Sequence, residues 1–386
     1  MCMKYFTNVI RALVLIVVLF PTLSSCTVSE TDVGDLNDNE PIRFLVADDE
    51  EWGTRGAYET AKQFSEYAIY SFNGSTGRPH ITNVVMTKNG DAWKGSRSIS
   101  FPGKNPLDFY ALKPGFKRDD VEDLIMTMDE KSFVHKLPNA NYKQTDFMFS
   151  SLLGKTKEET GGTIQFKFKH MFAYLRFVGK CSVEGLNVTV RSITIHNLKS
   201  TGKFTFSTTK ERTGDWELRD DVDNYTYLLP TEKDLTSKNV MLHTTDSMLF
   251  VMAQVPAIFA ITENGSFADA DKVGEEKAYL EVECRLWKMN DDGVTPQYIG
   301  CAADTWAKVY FPLAATTKWQ TAASPYAGTY NVMLDFTGGY TYEGEDFLKK
   351  HTNGEMTMVS IEPIQCFLVT NPWEDDDYNS QTLEMK

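Results

Sequence analysis

No apolar stretch in this 386-residue chain is long enough to cross a bilayer; the longest, Ala12–Phe20, falls well short of the roughly 20 residues a spanning helix needs. Basic residues are in deficit, 39 Lys and Arg against 53 Asp and Glu for a net charge of −14. No Lys/Arg stretch is interleaved with aromatics, which excludes nucleic acid as a partner. The six cysteines include no C-x-x-C pair and have no histidine at finger spacing, so a zinc module is excluded. The six histidines, at 80, 135, 170, 196, 243 and 351, form no H-E-x-x-H. Gly154-Lys155-Thr156 looks like the end of a phosphate-binding loop, but Phe149 stands where the upstream glycine is required. G-x-S-x-G and the dinucleotide fingerprint are absent. Asp35-x-Asn37-x-Asn39 lacks the glycine and glutamate that complete a calcium loop. Carboxylates are abundant, as on any solvated acidic surface. The reading is a protein that is not an enzyme, with no cofactor and no metal. Helical periodicity is nearly missing too; only Asp119–Met128 and Asp346–His351 hint at short helices.

What is present begins with an export signal. Lys4 and Arg11 precede the apolar core, and Pro21-Thr22-Leu23-Ser24-Ser25-Cys26 follows it, so residues 1–25 read as a signal peptide. Leu23-Ser24-Ser25-Cys26 resembles a bacterial lipobox, which places cleavage between Ser25 and Cys26 and a lipid on Cys26. Several acyl chains matter for such an anchor, because each buried CH₂ adds only ~0.8 kcal/mol. Residues 26–40 then carry five acids and no base, the composition of a solvated tether.

From Pro41 onward the pattern has period two. Ile164, Phe166 and Phe168 alternate with Thr163, Gln165, Lys167 and Lys169; at His170 the phase flips and Met171, Ala173, Leu175 and Phe177 become the apolar set. Such a flip predicts a bulge or short bend, with His170 a hydrogen-bonded structural residue there. Further strands are predicted at Val188–Leu198, Lys203–Ser207, Met248–Gln254, Ala278–Trp287, Lys308–Leu313, Tyr330–Phe336 and Met358–Thr370, separated by turns such as Asn73-Gly74-Ser75 and Asn290-Asp291-Asp292-Gly293. The fold class is all-β, built of antiparallel β-sandwiches. A seam near Gly214–Asn224 divides the folded part into domains 41–222 and 223–386. Cys181, Cys284, Cys301 and Cys366 lie on apolar faces and read as buried thiols. Cys284 and Cys301 flank the Asn290–Gly293 turn, which leaves a cross-strand disulfide between them open. Trp216, Trp319 and Trp373 stand near strand ends, where they plug cores rather than form a sugar platform.

In chain order, strand Ile42–Ala47 is followed by Thr54-Arg55-Gly56, Asp91-Ala92-Trp93 and Pro106–Pro114 (PLDFYALKP). With the motifs downstream of it this series resembles the fimbrillin family, the subunits and accessory proteins of protease-assembled type V pili; Pro106–Pro114 is similar to the family's LDFYAYxP. Gln144–Phe149 (QTDFMF) is similar to QxDLMYA, and Phe166–Phe177 (FKFKHMFAYLRF) to LxFxHxLAxLxF. Leu249–Pro256 resembles a strand ending in Pro-Gln, with Ala253 in place of the proline, and Trp319 with Gly328-Thr329-Tyr330 resembles WxxGxxY. The resemblance implies two tandem transthyretin-like sandwiches, no enzymatic activity, lipoprotein export to the cell outer membrane, and assembly with other pilus subunits. It also implies a trypsin-like maturation protease that cuts after a basic residue beyond the first strand; Arg55-Gly56 is the matching position. A neighbour's strand then fills the vacated groove. The polar tail Glu374–Lys386 offers Leu383 and Met385 on one face and Tyr378 on the other, a poor donor pattern that favours a tip or accessory role over a stalk. The alternative is a non-polymerising surface lipoprotein that binds glycans.

Overall fold

Among the described residues the period-two segments become strands with little helix between them. The computed structural model describes residues 40–47, 65–90, 92–115, 126–244, 249–257, 277–299, 301–313, 318–319, 328–336, 340–341, 358–360 and 365–368. In chain order the strands are β1 (Arg43–Val46), β2 (Glu66–Asn73), β3 (Pro79–Asn89), β4 (Ala92–Gly95), β5 (Leu107–Lys113), β6 (Ser132–Lys136), β7 (Met148–Lys155), β8 (Thr163–Phe166), β9 (Lys169–His170), β10 (Ala173–Cys181), β11 (Asn187–Lys199) and β12 (Thr201–Phe206). They continue with β13 (Gly214–Leu218), β14 (Val222–Asp234), β15 (Val240–Met241), β16 (Leu249–Val251), β17 (Tyr279–Met289), β18 (Pro296–Tyr298), β19 (Ala307–Pro312), β20 (Gly328–Phe336), β21 (Tyr340–Thr341), β22 (Met358–Ser360) and β23 (Gln365–Leu368). One helical turn, α1 (Lys157–Thr160), is capped by Thr156, whose hydroxyl accepts from the Glu159 N–H at 3.2 Å. The predicted Asp119–Met128 helix lies outside the described residues except at its end, where Thr127 bridges Ser132; Asp346–His351 lies wholly outside them.

The sheets run β4-β3-β2-β5-β7-β9, β13-β12-β6, β14-β11-β17-β19-β22-β21 with β18 on β17, β15-β10-β20-β23 with β16 on β10, and the pair β1-β8. Pairing is mainly antiparallel, but β1–β8, β10–β20 and β19–β22 are parallel. The seam expected near residue 222 meets the start of β14, and strands before it bond to strands after it: β11 to β14 and β17, β10 to β20. At His170 the change of phase is larger than a bulge. The chain leaves β8 in one sheet, touches a second as β9 and enters a third as β10, and each sheet demands its own inward face.

Two large apolar clusters stand out among the described residues. The first joins one face of the β2–β3–β5 sheet (Tyr67, Ile69, Ile81, Phe109) to Ile42, Phe44, Ile164, Phe166 and Phe168. The second takes the opposite face of that sheet (Ala68, Tyr70, Phe72, Tyr110, Leu112) and continues through β10, β11, β17 and β20. Strands β2 and β5 are therefore buried on both faces, which explains why EYAIYSFN and LDFYALK read as near-continuous apolar runs.

Candidate functional site

Strand β1 completes the first cluster. Among the described residues its ladder is with β8 alone, in register Phe44 to Ile164 and Val46 to Phe166. The frame is closed by Ile42 N–H donating to Ile99 O at 2.7 Å, Arg43 N–H to Gly162 O at 2.9 Å and Ala47 N–H to Phe166 O at 2.8 Å. Alternation puts Ile42 and Phe44 inside, both buried, while Arg43 is exposed. The Phe44 ring stacks on Phe166 at 6.2 Å and meets Phe109 edge-on at 6.1 Å. Together β1 and β8 form one layer over the β2–β3–β5 sheet, so taking β1 away would uncover an apolar groove beside an unpaired strand edge.

The motif residues that carry the family resemblance meet at a second locus. The Gln144 side chain grips β16: its Nε2 donates to Phe250 O at 2.8 Å and its Oε1 accepts from Phe250 N–H at 2.8 Å. Nearby, His170 Nδ1 lies 2.8 Å from an Asp146 carboxylate oxygen, and the buried Tyr174 hydroxyl donates to the same carboxylate. Lys113 is buried on β5; burial pushes its ammonium down, and Asp146 pulls it partly back. His135 is wedged between Phe147 (4.4 Å) and Phe172 (5.8 Å), and burial pushes it down to about 4. His170 thus has the hydrogen bonds expected of it, and the cluster ties β5, β7, β9, β10 and β16 together.

Ser25, Cys26, Arg55 and Gly56 lie outside the described residues. Cys181 and Cys284 are buried free thiols, while Cys301 is a free thiol and only half-buried. Burial pushes the Cys284 thiol up, and Cys301 adds to that shift. The β17–β18 hairpin pairs Trp287 with Tyr298, and Ile299 N–H donates to Leu286 O. The chain then loops out over Cys301–Trp306, and Ala307 takes the place opposite Cys284. Cys366 lies on β23, with its side chain outside the description. Among the described residues no group of three His, Cys, Asp or Glu could hold a metal ion.

Trp319 is fully buried, and Trp216, in the middle of β13 rather than at a strand end, packs partly buried against the core; Trp373 lies outside the described residues. Trp306 is a half-exposed indole that sequence reasoning did not single out. The Arg191 and Arg285 guanidiniums lie 4.7 and 4.2 Å from its ring centroid, and they bind Glu283 and Glu232 in turn. A sugar platform there would have to displace those cations.

A sequence-family profile described as fimbrillin-like matches residues 54–270. No curated protein matches the sequence. Among solved structures, a fimbrial protein from Bacteroides vulgatus superposes with a TM-score of 0.55 at 12% identity, covering 85% of this chain and 98% of that one. Candidate cell adhesion proteins from Parabacteroides distasonis (TM-score 0.42, 10% identity, 89% of this chain and 93% of that one) and Bacteroides uniformis (0.40, 11%, 88% and 100%) are more distant in shape. At such identities the superposition speaks for the fold, and the profile, spanning more than half of the sequence, speaks for descent: the chain belongs to the fimbrillin-like family.

Proposed function

We propose that the protein is a structural or adhesive component of a surface pilus, exported as a lipoprotein on Cys26 and assembled by strand exchange. In this reading a trypsin-like protease cuts between Arg55 and Gly56, removing the lipid, the acidic tether and β1. A strand from another subunit then fills the groove. The observation that carries it is the placing of β1: a short strand that plugs a core with Ile42 and Phe44 yet, among the described residues, forms a ladder with one neighbouring strand. A donated strand would restore both the ladder and the apolar contacts. Two tandem transthyretin-like sandwiches and a tip or accessory role, the latter from the poor alternation of Tyr378, Leu383 and Met385, belong to the same proposal.

The test is the N-terminal sequence of protein recovered from the cell surface. A start at Gly56 in the assembled fraction supports the reading, and Cys26→Ala is expected to abolish membrane association. Assembled protein that still begins at a lipidated Cys26 would sink the maturation step.

A further inference from the structure

Beside Ile42 the first core is not closed. A cleft of about 270 Å³ runs between β1 and β4, lined by Ile42, Phe44, Met86, Trp93, Lys94 and Arg97 among others. Ile42 and Phe44 line it from the β1 side. Trp93 forms the opposite wall, held edge-on against Tyr67 at 4.7 Å. The rim is basic, and among the described residues neither Lys94 nor Arg97 has an ion-pair partner. Pro41, on the same rim, offers them nothing. Beneath it, Phe44 is boxed by Phe109 and Phe166, and Tyr67 by Phe166 and Phe168.

We propose that β1 is an undersized plug and that the groove is shaped for a different strand, one with an aromatic side chain at the Ile42 position and a carboxylate at the Pro41 position. This rests on the strand-exchange reading and names the chemistry of the partner. The occupant is an extended segment of another subunit, running parallel to β8 in the register of β1. Its aromatic ring fills the cleft against Trp93 and Met86, its central large apolar residue repeats Phe44, and its acid meets Lys94 and Arg97. Such a strand gains contact area and a charge pair that β1 lacks, so exchange runs downhill once β1 is severed. The protein's own tail is a poor match, because Tyr378, its aromatic, does not share a face with Leu383 and Met385.

The experiment cuts the exported chain with a limiting dose of trypsin-like protease, inhibits the protease because both probes contain Arg43, and then adds either of two fluorescent peptides. One is the sequence of residues 41–46; the other carries Pro41→Glu and Ile42→Phe. The second peptide is expected to bind at least about tenfold more tightly, and Lys94→Gln with Arg97→Gln should remove much of that advantage. As a measurement in cis, Ile42→Phe in the uncut chain should slow amide exchange across Arg43–Val46. Equal or tighter binding of the unaltered peptide, or faster exchange in Ile42→Phe, overturns the proposal and leaves strand exchange standing. If neither peptide binds the cut protein, strand exchange itself falls and this proposal falls with it.

Discussion

Acid should unfold this protein partly through one histidine. His135 sits on β6, 7% exposed, between the rings of Phe147 and Phe172, and its Nε2 has no hydrogen-bond partner. Burial disfavours the imidazolium and takes the group from its ordinary 6.5 down to about 4. A histidine held neutral by the fold contributes stability that is fully present above pH 6.5. That stability is lost as pH falls toward 4, because the unfolded chain takes up the proton first. Over the whole interval the loss is about 3 kcal/mol, of which about 2 kcal/mol falls between pH 7 and pH 5. His135→Leu removes the titrating group and an unsatisfied nitrogen while keeping the volume, so its offset from the parent protein should vary by that amount. Urea unfolding of both proteins at pH 7, 6 and 5, followed by tryptophan fluorescence, measures it. Stability curves that stay parallel from pH 7 to pH 5 would refute the reasoning, as would an NMR titration placing His135 above 6.

Other expectations follow from the same packing. Phe44→Ala should cost about 3–5 kcal/mol locally and accelerate hydrogen exchange at β1, with the second core unchanged; exchange mass spectrometry separates the two. Gln144→Ala leaves the Phe250 N–H and C=O without their partners and should cost about 1–3 kcal/mol in a denaturant titration, whereas the exposed Gln165→Ala should be nearly silent. Thiol reagents should label Cys301 before Cys181 and Cys284 in the native protein, and a two-hydrogen mass difference on reduction would show that Cys284 and Cys301 become bonded.

Much of the fold could be read from the sequence because strand burial follows alternation. Ile164, Phe166 and Phe168 are buried, and Gln165 and Lys167 are exposed, as their spacing requires. The Asn73-Gly74-Ser75 turn is likewise where its chemistry puts it, with the Asn73 side chain accepting from the Ser75 and Thr76 N–H groups at 3.0 Å. Sheet membership was not legible. The phase flip at His170 marks a change of sheet, which a one-dimensional pattern cannot distinguish from a bulge. Nor could β2 and β5 announce that they serve two cores, since a strand buried on both faces shows no period at all. At the candidate site, Ile42 and Phe44 stand out by alternation, and Gln144, Asp146 and His170 by motif. Trp93 belongs to the Asp91-Ala92-Trp93 motif, whereas Lys94 and Arg97 carried no signal, because only the return of β4 beside β1 brings them to the groove.

That arrangement also bears on why β1 could be expendable. The sheet it covers has two apolar faces, and only the one carrying Tyr67, Ile69 and Phe109 looks toward β1. The other, carrying Tyr70, Phe72, Tyr110 and Leu112, is packed into the larger core that runs on through β10, β11 and β17. Removing β1 exposes side chains on the first face and unpairs one edge of β8, at roughly 1.5–3 kcal/mol for each large apolar residue laid bare. None of the cross-strand bonds within the six-stranded sheet involves β1, and neither do the Gln144 and Asp146 contacts that join it to β10 and β16. The penalty is thus confined to one face of a sheet already held from the other side. A fold with a single core would lose its integrity along with such a strand; this one would keep its scaffold and present an open groove.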